Sequence, residues 1–207
     1  MTEAELIRLC QQGDEAAFET LIHRYENKVY TLCRRMCGNE QDALEAAQDT
    51  FLALWRGIGG FRSDAALSTW LYRLTTNACI DHARREKRHG GRISLDDEET
   101  GVTLTDPAPQ PQEALEQQEL QRLLREGIAA LPAEYRQVLL LRESEQLSYA
   151  EIVEITELEL GTVKSRISRG RRALRNYLAA SGNFFSDAAS KDLAYKQNHD
   201  GKEMRAE

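Results

Sequence analysis

The sequence predicts an all-α protein built of two small helical domains joined by an acidic linker, the second domain a helix-turn-helix. Three observations carry this. Apolar residues recur at helical spacing over residues 1–92 and again over 119–180, with no alternating strand pattern and no internal repeat. Between the two blocks, residues 93–118 hold seven acids (Asp96, Asp97, Glu98, Glu99, Asp106, Glu113, Glu116) and neither Lys nor Arg. That stretch also carries Pro107, Pro109 and Pro111, a run that cannot continue a helix or a central strand and that reads as an extended linker.

Composition limits the rest. The chain has 207 residues, 41% of them hydrophobic and 29% charged, a balance that suits a soluble globular protein. Its longest apolar runs, such as 138–141, fall far short of the ~20 residues that cross a membrane. The N-terminus is acidic and amphipathic and lacks the basic start and apolar block of a secretory signal, so the cytoplasm is the expected compartment, without membrane insertion. In that setting Cys10, Cys33, Cys37 and Cys79 read as small semi-buried hydrophobes. His23 lies upstream of Cys33 and Cys37, but no metal site or cofactor is expected. Residues 181–207, with Gly182, Asn183, Asn198 and Gly201, read as a poorly ordered tail.

The net charge of −7 argues, taken as a whole, against a nucleic-acid binder; its distribution argues otherwise. In the second block, Pro132 opens a helix through Leu141, and Ser148-Tyr149-Ala150-Glu151 forms a capping box for another that ends near Ile155. After a short turn, a last helix opens near Gly161 and Thr162. Val163, Ile167, Gly170, Leu174 and Leu178 share one stripe of it. Lys164, Ser165, Ser168, Arg169, Arg172 and Arg175 take the opposite side, flanked by Arg166 and Arg171. From Thr162 to Leu178 there are six basic residues and no acid. A basic face on a helix that follows a capped helix and a short turn looks like a major-groove reader, because Arg and Lys match both guanine acceptors and phosphates. The bland alternative is a solvated face of a bundle helix.

The first block offers two further faces. A helix over 42–58 has a buried stripe of Leu44, Ala47, Phe51, Leu54 and Ile58, and a second stripe of Glu45, Gln48, Asp49, Leu52 and Arg56 with Trp55 at its edge. Leu52 and Trp55 beside polar groups mark a protein-binding surface; Trp55 completing the core fits equally well. A helix over 68–85 turns Leu71, Leu74, Thr75 and Ala78 inward. Trp70, Arg73, Asn77, Ile80, Asp81 and Arg84 lie outward, and a basic exit follows through Arg92. Aromatic, amide and guanidinium groups on one face can stack on and hydrogen-bond unpaired bases; a solvated helix with a basic end is the plain alternative.

Together these residues resemble the extracytoplasmic-function sigma factors. Phe18-x-x-Leu21-Ile22-x-x-Tyr25, Gly38-Asn39-x-x-Asp42-Ala43, Gln48-Asp49-Thr50-Phe51-Leu52-x-x-Trp55, Phe61-Arg62, Thr69-Trp70-Leu71-Tyr72-Arg73 and Asn77-x-x-x-Asp81 are similar to the family's first domain. Leu131-Pro132, Leu147-Ser148-Tyr149-x-Glu151-Ile152 and the run from Gly161 to Leu174 are similar to its second. The resemblance implies a non-catalytic subunit that brings core RNA polymerase to promoters. Leu44, Glu45, Gln48, Asp49, Leu52 and Trp55 would contact the polymerase, chiefly the β′ clamp helices, with the β subunit a further partner. Arg62, Ser63, Ser68, Trp70, Arg73, Asn77, Asp81, Arg84 and Arg85 would engage the −10 element, the 62–68 loop capturing a flipped base. Thr162, Lys164, Ser165, Arg166, Ser168, Arg169 and Arg172 would read the −35 element. An anti-sigma factor is an implied partner beside promoter DNA, and the linker would thread the polymerase. Against this stand a free-standing helix-turn-helix regulator and a purely protein-binding scaffold. Three departures from the family pattern are Glu157 in place of a turn glycine, Gly170 in place of an alanine, and the tail.

Overall fold

The computed structural model describes residues 1–62, 66–89 and 111–181, and all regular structure among them is helical. The N-terminal domain comprises α1 (Glu3–Gln11), α2 (Glu15–Cys37), α3 (Glu40–Gly57), a 3-10 turn (Ile58–Gly60) and α4 (Leu67–His89). The C-terminal domain comprises α5 (Pro111–Ala129), α6 (Ala133–Glu143), α7 (Tyr149–Thr156) and α8 (Leu160–Ser181). No described helix is long and apolar enough to cross a membrane.

Local chemistry sets the helix ends. Thr2 and Glu5 form a capping box on α1, Asp14 caps α2 through the Ala17 amide, and Asn39 caps α3 through that of Asp42. Gly38 ends α2 in the left-handed conformation that glycine adopts without a Cβ penalty. The expected box at Ser148 and Glu151 is present on α7. The Ser148 amide donates to Glu151, which holds that carboxyl below its ordinary pKa.

Two expectations change here. The segment read as linker through Gln118 becomes helical at Pro111, the first residue of α5. Proline is barred from a helix interior but not from its first position, where the missing N–H has no intrahelical partner anyway. The rest of that segment, 93–110, and the tail at 182–207 lie outside the described residues. The second change concerns α3. Periodicity places Leu44 in the buried stripe, yet it is 54% exposed. The buried face is Ala43, Ala46, Ala47, Thr50 and Leu54. Small alanines bring α3 close to its neighbours, and the larger Leu44 is turned to solvent.

The N-terminal core gathers Leu6, Leu21, Leu32, Leu54 and Leu67, all nearly inaccessible, with Thr50 and Thr75 donating their hydroxyls to the carbonyls of Ala46 and Leu71. The C-terminal core gathers Val138, Leu141, Ile152, Val163 and Ile167. At Gly127, α5 comes so near α8 that a Cβ would lie 2.7 Å from Leu174.

The two domains lie against one another: α2 meets α5 and α6, and α4 meets α6 and α7. Arg136 of α6 donates to the Met36 carbonyl near the end of α2 and to the carbonyls of its own Ala129 and Leu131. Arg35 of α2 reaches Ser144 and Glu145. The Tyr72 hydroxyl of α4 donates to Glu145 at 2.8 Å. Glu145 itself is only 10% exposed. Burial, reinforced by that carboxylate, pushes the Tyr72 phenol up.

Candidate nucleic-acid interface

The α3 stripe is the most exposed apolar surface described. Leu52 is 43% and Trp55 37% exposed, beside Leu44, Glu45 and Gln48. Trp55 also packs edge-on against Phe18, with centroids 4.6 Å apart, so it serves the core and the surface together. Asp49 is half-buried and ties α3 to α4: its carboxylate lies 3.4 Å from Arg85 and 3.4 Å from the buried His82, which also approaches Glu45 at 4.0 Å.

The second face lies on α4. Phe61 and Trp70 stack at 5.0 Å. Trp70 is half-buried because its ring lies over Gly57, where a Cβ would sit 2.9 Å away. An open crevice of about 390 Å³ is lined by Gly57, Gly60, Phe61, Arg62, Thr69, Trp70 and Arg73, closed on one side by Glu154 of α7. Asn77, Asp81, Arg84 and Arg85 continue along α4 as exposed residues, and Asp81 meets Arg84 at 3.4 Å. Ser68 does not join them; it lines a narrow pocket against α2 with Tyr25, Lys28 and Tyr72. Ser63 lies outside the described residues, and of the basic exit beyond Arg85 only the helical backbone through His89 is described. Of the residues assigned inward, Leu71 and Thr75 are buried, while Leu74 and Ala78 are half-buried. Tyr72, Thr76, Cys79 and His82 are buried as well: Tyr72 reaches Glu145 of the C-terminal domain, while Cys79 lies against Cys33 and Cys37 of α2 and His82 beside Glu45 and Asp49 of α3.

The third face is on α8. Val163, Ile167, Gly170 and Leu178 are buried, as the stripe predicts, and Leu174 is half-buried. Ser168, Arg169 and Arg172 project outward. Lys164 sits over the Tyr149 ring at 5.6 Å. Ser165 donates to the Thr162 carbonyl at 2.9 Å, and both residues are half-buried. Arg166 and Arg171 are held within the domain by Glu134 at 3.7 Å and Glu143 at 2.6 Å.

Two groups were not singled out as functional from the sequence. Glu157, noted only as a departure, caps α7 in the left-handed conformation (φ 56°), and its carboxylate meets Arg73 of α4 at 2.8 Å. That conformation costs a side chain about 1–2 kcal/mol relative to glycine. The other group is a trio of thiols. Cys79 of α4 shares hydrogen bonds with Cys33 and Cys37 of α2, which with burial push its thiol up. Among the described residues no group of His, Cys, Asp and Glu is arranged to hold a metal.

The geometry defines a class: a helix-turn-helix protein with a separate helical domain bearing aromatic, basic and apolar surfaces. Residues 21–89 match the family model for sigma-70 region 2, and residues 121–174 that for sigma-70 region 4. The ECF RNA polymerase sigma factor SigW of Bacillus subtilis is 37% identical over 179 residues, covering 83% of this chain and 94% of its own. The RNA polymerase sigma-H factor of Pseudomonas aeruginosa is 34% identical over 176, covering 83% and 91%. Among solved structures, CnrH in complex with the cytosolic domain of CnrY shares the fold with a TM-score of 0.61 at 22% identity, over 86% of this chain and 97% of that one. RpoE of Bartonella quintana, in complex with the anti-sigma factor NepR, shares it at 0.58 and 19%, over 78% and 96%. The chain belongs to the extracytoplasmic-function sigma factors of the sigma-70 family.

Proposed function

We propose that this sigma factor works through three separate faces. The α3 stripe of Leu44, Glu45, Gln48, Asp49, Leu52 and Trp55 docks on the clamp of core RNA polymerase. The α4 face, with its crevice, engages the melted −10 element. The outward side of α8 reads the −35 element in the major groove. No bond chemistry is required of it. A base drawn out of the stack costs a few kcal/mol, roughly, and contacts in a pocket offset that. The crevice bounded by Phe61, Arg62, Trp70 and Arg73 is the observation that carries this reading, since an aromatic wall beside guanidinium groups suits an unpaired base and its phosphate. Asn77, exposed one turn along α4 from Arg73, would shape that recognition. Arg169 and Arg172, exposed on the helix that follows the α7 turn, suit guanine edges and phosphates.

The exposed Leu44, Leu52 and Trp55 also fit masking by an anti-sigma factor, which supports such a protein as regulator. Run-off transcription with core polymerase and a promoter library tests the whole reading. Promoter-specific transcripts that depend on the protein are expected; equal transcription with and without it would remove the reading.

A further inference from the structure

Two helices of the N-terminal domain bring three of the four cysteines to one place. Cys33 and Cys37 lie one turn apart on α2, and Cys79 of α4 shares hydrogen bonds with both. None of the three belongs to the faces assigned above: Cys79 is on the inner side of α4, two residues from the exposed Asn77 and Asp81. Their exposure differs. Cys33 is fully buried and Cys79 nearly so, whereas Cys37, in the last turn of α2, is half-buried. Arg136 adds a second difference. Its guanidinium donates to the carbonyl of Met36, the neighbour of Cys37, and lies near Cys37 and Cys79. Partial exposure and a nearby cation are the surroundings in which cysteines react. The hydrogen bonds to Cys33 and Cys37, with burial, push the Cys79 thiol up, so Cys79 is suited to be the second thiol of a pair and not the first to be oxidised.

We infer that Cys37 and Cys79 form a peroxide-responsive pair, whose oxidation to a disulfide fastens the end of α2 to the middle of α4. Hydrogen peroxide is the oxidant. The Cys37 sulfur attacks one peroxide oxygen; the O–O bond breaks, a sulfenic acid forms and one water leaves. The Cys79 sulfur then attacks the sulfenic sulfur. The S–S bond forms as the S–O bond breaks, and the departing hydroxide takes the Cys79 proton as a second water. Two thiols have lost two electrons and one peroxide has gained them. The sulfurs start within hydrogen-bonding reach, and rotation of the side chains closes the remaining gap. A Cys33–Cys37 bond would tie α2 only to itself, and Cys33 is closed to the oxidant. The cross-link takes entropy from the unfolded chain and leaves the outward residues of α3 and α4 as they are. A dithiol reductant reverses it.

The test uses the full chain. Hydrogen peroxide is added, free thiols are blocked with iodoacetamide, and the product is digested with trypsin without reduction. Cleavage after Lys28, Arg34, Arg35, Arg73 and Arg84 puts Cys33, Cys37 and Cys79 on separate peptides, 29–34, 36–56 and 74–84. Mass spectrometry should find 36–56 joined to 74–84 within one chain, with Cys10 alkylated. The melting temperature should rise by roughly 10 °C and fall back with dithiothreitol. Cys33→Ser should keep the cross-link and Cys37→Ser should lose it; the wild-type peptide map decides the matter if either variant folds poorly. In Cys79→Ala, dimedone should label Cys37. A main link through Cys33, links between chains, over-oxidation of Cys37 with no link, or a cross-link that leaves melting unchanged each overturn the proposal.

Discussion

The two DNA-directed helices stand in opposite conditions. On α8 the acids that neutralise arginines come from its own domain: Glu134 holds Arg166 and Glu143 holds Arg171, both on the flanks, leaving Arg169 and Arg172 pointing outward. On α4 an acid comes from the other domain and meets Arg73 in the middle of the proposed reading face. The ion pairs of the proposed duplex-reading surface are therefore complete within one domain, whereas the proposed strand-reading surface takes one from the other domain.

The harshest way to break this comparison is to collapse the C-terminal domain and watch the other. Ile167→Ala removes a fully buried side chain and should cost about 2–5 kcal/mol. Both tryptophans belong to the N-terminal domain. Loss of α8 helicity by circular dichroism should accompany greater quencher access to Trp70, whose crevice Glu154 walls, while Trp55, exposed already, should change little. A Trp70 signal that does not move would deny that the second domain covers α4.

A smaller effect separates the two readers. Arg169→Ala should weaken −35 binding by about 1–3 kcal/mol if it is bidentate to a guanine, whereas Asn77→Ala should spare closed-complex binding and impair opening. Permanganate footprinting on one promoter distinguishes them, and equal loss of closed complexes in both would merge the two roles.

Smaller still are the two positions that depart from the family pattern. Gly170→Ala should raise stability by about 1 kcal/mol in urea unfolding, because an added Cβ meets Tyr135 and Leu139 at ordinary contact distances of 3.5–3.7 Å. Glu157→Gly should also stabilise, by about 1 kcal/mol, since the relieved left-handed strain exceeds the worth of a solvated ion pair. The smallest expected effect is with acid. Glu151 is held below its ordinary pKa by the Ser148 amide and hydroxyl. A depressed folded pKa means stability that is present above the unfolded value and lost as pH falls through the folded one. The first turn of α7 should therefore fray on acid titration, followed by amide exchange at 149–151, and Ser148→Ala, which keeps the amide but removes the hydroxyl, should weaken that dependence.

The helices and their faces were legible because helical periodicity and capping chemistry are local. Ser148 with Glu151, the stripe from Val163 to Leu178, and the outward Leu52 all follow from neighbours within a few residues. Leu44 was misplaced for a related reason: hydrophobic size was read as depth, whereas Ala43 and Ala46 lie deepest because close helix packing selects small side chains. The burial of Tyr72 and His82, the reach of Arg136 to Met36 and the pairing of Arg73 with Glu157 join residues far apart in sequence. Nothing in a single sequence couples such positions. Glu157 stood out only as an odd residue in a turn, and its partner became visible once α4 and α7 were side by side.

Arg136 has a consequence for dissecting the chain. The final turn of α2 is finished by a guanidinium supplied from beyond the segment joining the two halves, and Arg136 also lies near Cys37 and Cys79. A fragment ending at residue 89 would keep every N-terminal helix but lose that donor. Its Met36 carbonyl would pass from a guanidinium to water, and Cys37 and Cys79 would lose the charge that lies near them. Measurements on the isolated half would then describe a molecule in which one of the two longest struts is finished differently, and any looseness at that end would be an artefact of the scissors.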